Sequence, residues 1–127
     1  MPETDGDLLS LLGVLRGQAV ETTCFVEDIP KFTGAKLPGS SVAVMFRNFG
    51  FICGALAALR IRTILVRPQE WQKGYSLGTA RSCESKTEWK NKLKGEAQRR
   101  YPWADVTLKT ADALLILEHG MSTMHRR

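Results

Sequence analysis

Two carboxylates stand where acids could do chemistry. Glu27 closes a short run rich in β-formers, Thr22 to Val26 (TTCFV), which reads as a buried strand stopping at the acids Glu27 and Asp28. In an open α/β sheet the carboxyl ends of strands are where ligands gather. Asp112 follows Thr110 and Ala111 at the start of the last helical run, read as Ala111 to His119 with Thr110 as its cap. Taken singly, Glu27 is an ordinary strand-end acid and Asp112 an ordinary complement to a helix dipole. Taken together they suit phosphodiester hydrolysis, in which hard cations are held by carboxylates brought from separate elements. The remaining candidates are weaker. His119 and His125 read as surface residues near the C-terminus, and GYSLG at 74–78 lacks the Lys-Ser/Thr of a phosphate-binding loop, so no nucleotide cofactor is expected. Cys24, Cys53 and Cys83 are odd in number and widely spaced. They read as reduced thiols of a cytoplasmic protein, with no CxxC pair for zinc.

The elements that must position these acids follow from periodicity. Leu8, Leu9, Leu11, Leu12 and Leu15 recur at helical spacing between a cap at Thr4 or Asp5 and a stop at Gly17. Pro30 to Ser40 is a loop, and Ser41 to Leu59 a long apolar helix. Ala43, Arg47, Gly50, Gly54 and Ala57 line one side of that helix, where Gly50 and Gly54 would admit another backbone. That side packs either inside the domain or across a dimer. The apolar stretch is interrupted by Arg47 and Asn48, so no membrane pass is expected. Thr63 to Val66 is a second buried strand, and one helical turn is read at Glu70 to Lys73. Ser85 and Glu88 form a capping box opening a helix to about Arg100, with Trp89, Leu93 and Ala97 inward and Lys86, Lys90 and Lys94 on the next stripe. Glu88 with Lys92 and Glu96 with Arg100 are paired at i,i+4. The order implies an α/β fold, a parallel sheet with crossover helices in a single domain over 1–127. Two parallel strands alone make an incomplete sheet.

Charge is unevenly spread. Residues 1–59 hold four basic and six acidic residues, whereas 60–127 hold fourteen and seven, so the polyanion-facing surface is expected in the C-terminal half.

An ordered set of motifs then carries a resemblance: FVEDIP at 25–30, SSVAVMFRNFGFICGALAAL at 40–59, TILVRPQEWQK at 63–73, SKTEWK at 85–90 and TADALLILEHG at 110–120. Together they resemble the RuvC-like crossover junction endodeoxyribonucleases of the RNase H-like superfamily, especially the phage and prophage members. The resemblance spans nearly the whole chain and implies an RNase H-like fold and a homodimeric endonuclease. The cofactor would be Mg2+, or Mn2+ in its place, and the substrate branched DNA. It implies that Glu27 and Asp112 are catalytic carboxylates and metal ligands, that Lys86 assists them, and that the helix bearing Ala43, Arg47, Gly50 and Gly54 is the dimer interface. Lys90, Lys94, Arg99 and Arg100 would then follow backbone phosphates of branched or duplex DNA, and Lys31 and Lys36 would reach the junction arms.

Two departures accompany it. The family opens with three antiparallel strands, the first bearing a metal-binding Asp in an Asp-x-Gly setting, and this chain begins as though after them. It therefore reads as an RNase H-like domain incomplete at its N-terminus. Lys109 also stands where the family often has a further acid. The alternatives are a DNA-binding remnant without catalysis and a dimerisation module.

Overall fold

A computed structural model describes residues 4–18, 21–29 and 39–125, and divides the chain into two compact units, Met1–Leu65 and Val66–Arg127. The class is mixed α/β and mostly helical. In the first unit α1 (Asp5–Gly17) is capped by Thr4, whose hydroxyl accepts the Asp7 N–H at 3.0 Å. Asp5 and Asp7 in its first turn and Arg16 in its last complement the helix dipole. β1 (Thr23–Glu27) is followed by α2 (Gly39–Ala58) and β2 (Arg62–Val66). The two strands form a parallel two-stranded sheet, with α2 as the crossover that parallel pairing requires.

The exit from α2 is set by hydrogen bonding. Ile61 N–H donates to Leu56 O at 2.9 Å and Arg60 N–H to Ala57 O at 3.1 Å, with Arg60 in the left-handed region at φ 56°. This is the Schellman arrangement, and its usual apolar contact is supplied by two buried residues, Leu56 and Ile61. The chain then pairs at once, Arg62 N–H donating to Thr22 O at 3.2 Å.

The first unit buries little. Among the described residues α1 has no buried side chain, and α2 buries only Ala55 and Leu56. Leu9, Leu11, Val14 and Leu15 of α1, and Val44 and Phe46 of α2, are exposed. Measured over its full 20 residues, α2 is long and apolar enough to cross a membrane by length and composition. The interruption at Arg47 and Asn48, from which no membrane pass was expected, amounts to a single charge, Arg47 being the one charged residue of this helix.

The second unit opens with α3 (Pro68–Lys73), two residues earlier than the sequence indicated, because Pro68 at the first helical position is already set for the helix. It buries Trp71 completely. After a 3-10 turn at Ala80–Ser82 comes α4 (Lys86–Arg100), which buries Trp89, Leu93 and Ala97 as its spacing requires. The capping box is only half formed. Ser85 Oγ accepts the Glu88 N–H at 3.1 Å, but Glu88 Oε2 accepts from Glu84 N–H at 2.8 Å, so that carboxylate turns neither to Ser85 nor to Lys92.

The last helix, α5 (Leu108–His125), is longer at both ends than Ala111 to His119. Its start is fixed by a reciprocal threonine pair. Thr110 N–H donates to Thr107 Oγ1 at 3.2 Å, and Thr107 N–H donates to Thr110 Oγ1 at 2.9 Å. Thr110 is thus a third-position partner rather than the cap. α5 packs against α4 and α3, burying Ala111, Leu115, Ile116 and Gly120.

Candidate functional site

Glu27 is the last residue of β1 and is half-buried, at the carboxyl end of a parallel strand as its sequence indicated. Asp112 has a different setting from the one its sequence suggested. Because α5 begins at Leu108, Asp112 lies in the second turn, and no acid occupies the first. The dipole account of this residue therefore fails. The residue is exposed overall, yet the protein around its carboxyl strips enough water to push its pKa above the ordinary aspartate value. The Lys90 ammonium, brought from α4, pulls the other way. Sequence reasoning had assigned Lys90 to phosphate contacts only; its coupling to Asp112 depends on the α4–α5 register, which no local pattern announces.

Lys86 is the first residue of α4 and exposed. A cation in the first turn opposes the helix dipole. Lys90 is exposed and Lys94 half-buried one turn further on.

Arg99 and Arg100 are already engaged. Glu96 accepts from Arg99 Nη2 at 2.6 Å and from Arg100 Nε at 2.7 Å. The hydrogen bond from Arg99, joined by that from Arg100, holds the Glu96 carboxyl below its usual range against a desolvation that raises it. Arg100 also lies 3.7 Å from Glu118 and 4.8 Å from the Tyr75 ring centroid. Lys31 and Lys36 lie outside the described residues.

On α2, Ala43, Arg47, Gly50 and Gly54 are all exposed, with Arg47 bonded to Asp5 of α1. A Cβ added at Gly50 or Gly54 would meet nothing within 4 Å. The side that the sequence gave as close-packed or dimeric is thus open within its unit.

A second polar cluster was not anticipated. Gly74, Tyr75, Arg100, Glu118, His119, Ser122 and Thr123 line a cleft of about 320 Å³ in the second unit. His119 is half-buried there, not a surface residue, and packs close to Gly74: a Cβ at that position would stand 3.4 Å from Nδ1. His125 is exposed as expected. Tyr75 donates to the Leu115 carbonyl and Tyr101 to Glu118 Oε2 at 2.7 Å. Both phenols are pushed up to about 12, chiefly by burial. The members come from three separate segments, so no spacing rule links them.

Among the described residues no group of three His, Cys, Asp or Glu side chains is arranged to hold a metal. Glu27 and Asp112 offer hard oxygen donors of the kind Mg2+ takes, and one Mg2+ needs only one or two carboxylates with water and phosphate completing its shell. Each carboxylate is a donor of the type such an ion takes, and two carboxylates are too few to hold a pair of ions. Compared with known proteins, the sequence matches no family model and no curated protein.

Proposed function

We propose that this chain is a RuvC-like endonuclease unit acting on branched DNA, with Glu27 and Asp112 as its carboxylates. The observation that carries the reading is Asp112: an acid with no dipole role, desolvated, and coupled to a lysine of a neighbouring helix. Burial raises its pKa against the pull of Lys90, and groups perturbed in this way concentrate at functional sites. The second unit supplies the matching electrostatics, with twelve basic against seven acidic residues in 66–127.

Glu27 and Asp112 would each offer a carboxylate to Mg2+, and the ion would supply a polarised phosphoryl oxygen and a water of lowered pKa. Lys86 would offer its ammonium to the negative charge that builds on the phosphate. Lys90 and Lys94 would hold the DNA backbone, and the Lys90 charge favours the ionised form of Asp112 against its desolvation. Self-association through the open side of α2 belongs to the same proposal. A second reading, DNA binding without cleavage, is favoured by the lack of a third donor among the described residues. Incubating the chain with a labelled four-way DNA junction, in Mg2+ and in EDTA, separates the two. Cleavage confined to the Mg2+ sample supports the nuclease, and binding without cleavage in either supports the second reading.

A further inference from the structure

Trp103 is the most exposed large apolar residue among those described, 80% accessible, whereas Trp71 and Trp89 are 0% and 8%. Leaving an indole in water forgoes one of the largest burial gains any side chain offers, so its surroundings matter. Trp103 sits in a hydrogen-bonded turn, Ala104 N–H donating to Tyr101 O at 3.0 Å. Pro102, the residue before it, fixes its own φ and stiffens that turn. The Tyr101 ring stands edge-to-face with the indole, centroids 5.7 Å apart and planes at 83°. Tyr101 is in turn anchored by its hydroxyl to Glu118 of α5. The indole is therefore held on a braced pedestal with a broad face open to solvent. Nothing in this arrangement is needed to close a core, since Val106 further along the loop does that.

We infer that Trp103 is a stacking platform for an unpaired nucleobase, fixed by the Tyr101–Ala104 turn at the end of the basic helix α4. Stacking needs a rigid open π-face and is indifferent to base identity, and it is used beside cations that follow the strand's phosphates. The neighbouring charge favours nucleic acid over an apolar protein partner: α4 carries six lysines and arginines against two glutamates. The inference rests on the DNA reading above and adds to it the recognition of bases freed from pairing, as at a branch point.

The two buried tryptophans provide a constant background for a fluorescence test. The intact chain is titrated with an oligo-dT strand of about 12 nucleotides, and separately with a blunt duplex of that length. Anisotropy of the labelled DNA is followed in parallel. Oligo-dT is expected to quench the tryptophan emission. Trp103→Ala should abolish the quench and weaken oligo-dT binding about tenfold, with duplex binding changed less than about twofold. Trp103→Phe should recover part of the affinity. Equal affinity of wild type and Trp103→Ala for oligo-dT, or equal losses on both DNAs, overturns the platform and leaves the DNA reading standing. A change in self-association of Trp103→Ala without any quench assigns the residue to a protein contact and also overturns it. Binding of neither DNA removes both.

Discussion

Asp112 has its pKa raised in the folded chain, mainly by desolvation, with Lys90 opposing. An acid whose folded pKa exceeds its unfolded value of about 3.9 binds more protons folded than unfolded in the interval between the two. Stability contributed by this residue therefore falls as pH rises through that interval, and the penalty is complete above it. Asp112→Asn should stabilise the fold slightly at pH 7, by less than about 1 kcal/mol for so exposed a residue, read as a higher unfolding temperature. It should make no difference at pH 3, where both forms are uncharged. Thermal unfolding at the two pH values checks this; destabilisation at pH 7 would mean that the carboxylate is a structural partner after all. What the sequence hid at this scale was the environment. Both acids were legible as candidates from position alone, but the helix start at Thr107 and the coupling to Lys90 were not. Thr107 and Thr110 are each acceptable caps, and only their reciprocal bonding selects the earlier start.

Elements were easier to read than their ends. The strands and the buried stripe Trp89, Leu93, Ala97 follow from period and residue type and stand within a residue of where the sequence put them, but the strands are not the buried ones expected: β1 is half-buried throughout and β2 buries only Val66. The end of α2 was placed within a residue as well, but the turn that closes it was not legible, because its Schellman turn uses Arg60 where glycine is the usual signal. A non-glycine residue in the left-handed region costs about 1–2 kcal/mol, part of which glycine gives back through its looser unfolded chain. Arg60→Gly is thus expected to stabilise the protein by about 0.5–1 kcal/mol, read as a higher midpoint in urea; an unchanged or lower midpoint would show that the Arg60 side chain contributes to the fold. Gly54 provides the complementary experiment on the same helix. Nothing lies near its absent Cβ, so Gly54→Leu fits the isolated chain and gains helix propensity. If the open side of α2 joins two copies, sedimentation should show the variant monomeric under conditions where the wild type is dimeric. Identical association of the two proteins would clear this face of that role.

For the whole molecule, charge and apolar surface tell different stories. Among the described residues the first unit has few buried side chains and several exposed leucines and valines, while the second has a core of Trp71, Trp89, Leu93, Val106, Leu115 and Ile116 beneath a basic surface. The α/β class and the uneven charge were legible in composition and element order. The Tyr75–Arg100–Glu118–His119 cluster was not, since it exists only through the packing of α3, α4 and α5. The central claim is that carboxylates on these elements direct Mg2+-dependent cutting of branched DNA. The most direct test compares wild type with Glu27→Gln on a four-way junction in Mg2+, a substitution that keeps the shape of the strand end and removes its charge. The account predicts cleavage by the wild type and its loss in the variant, by about a hundredfold or more, with junction binding retained. Equal cleavage by both proteins, or binding by the wild type with no cleavage at all, would contradict it.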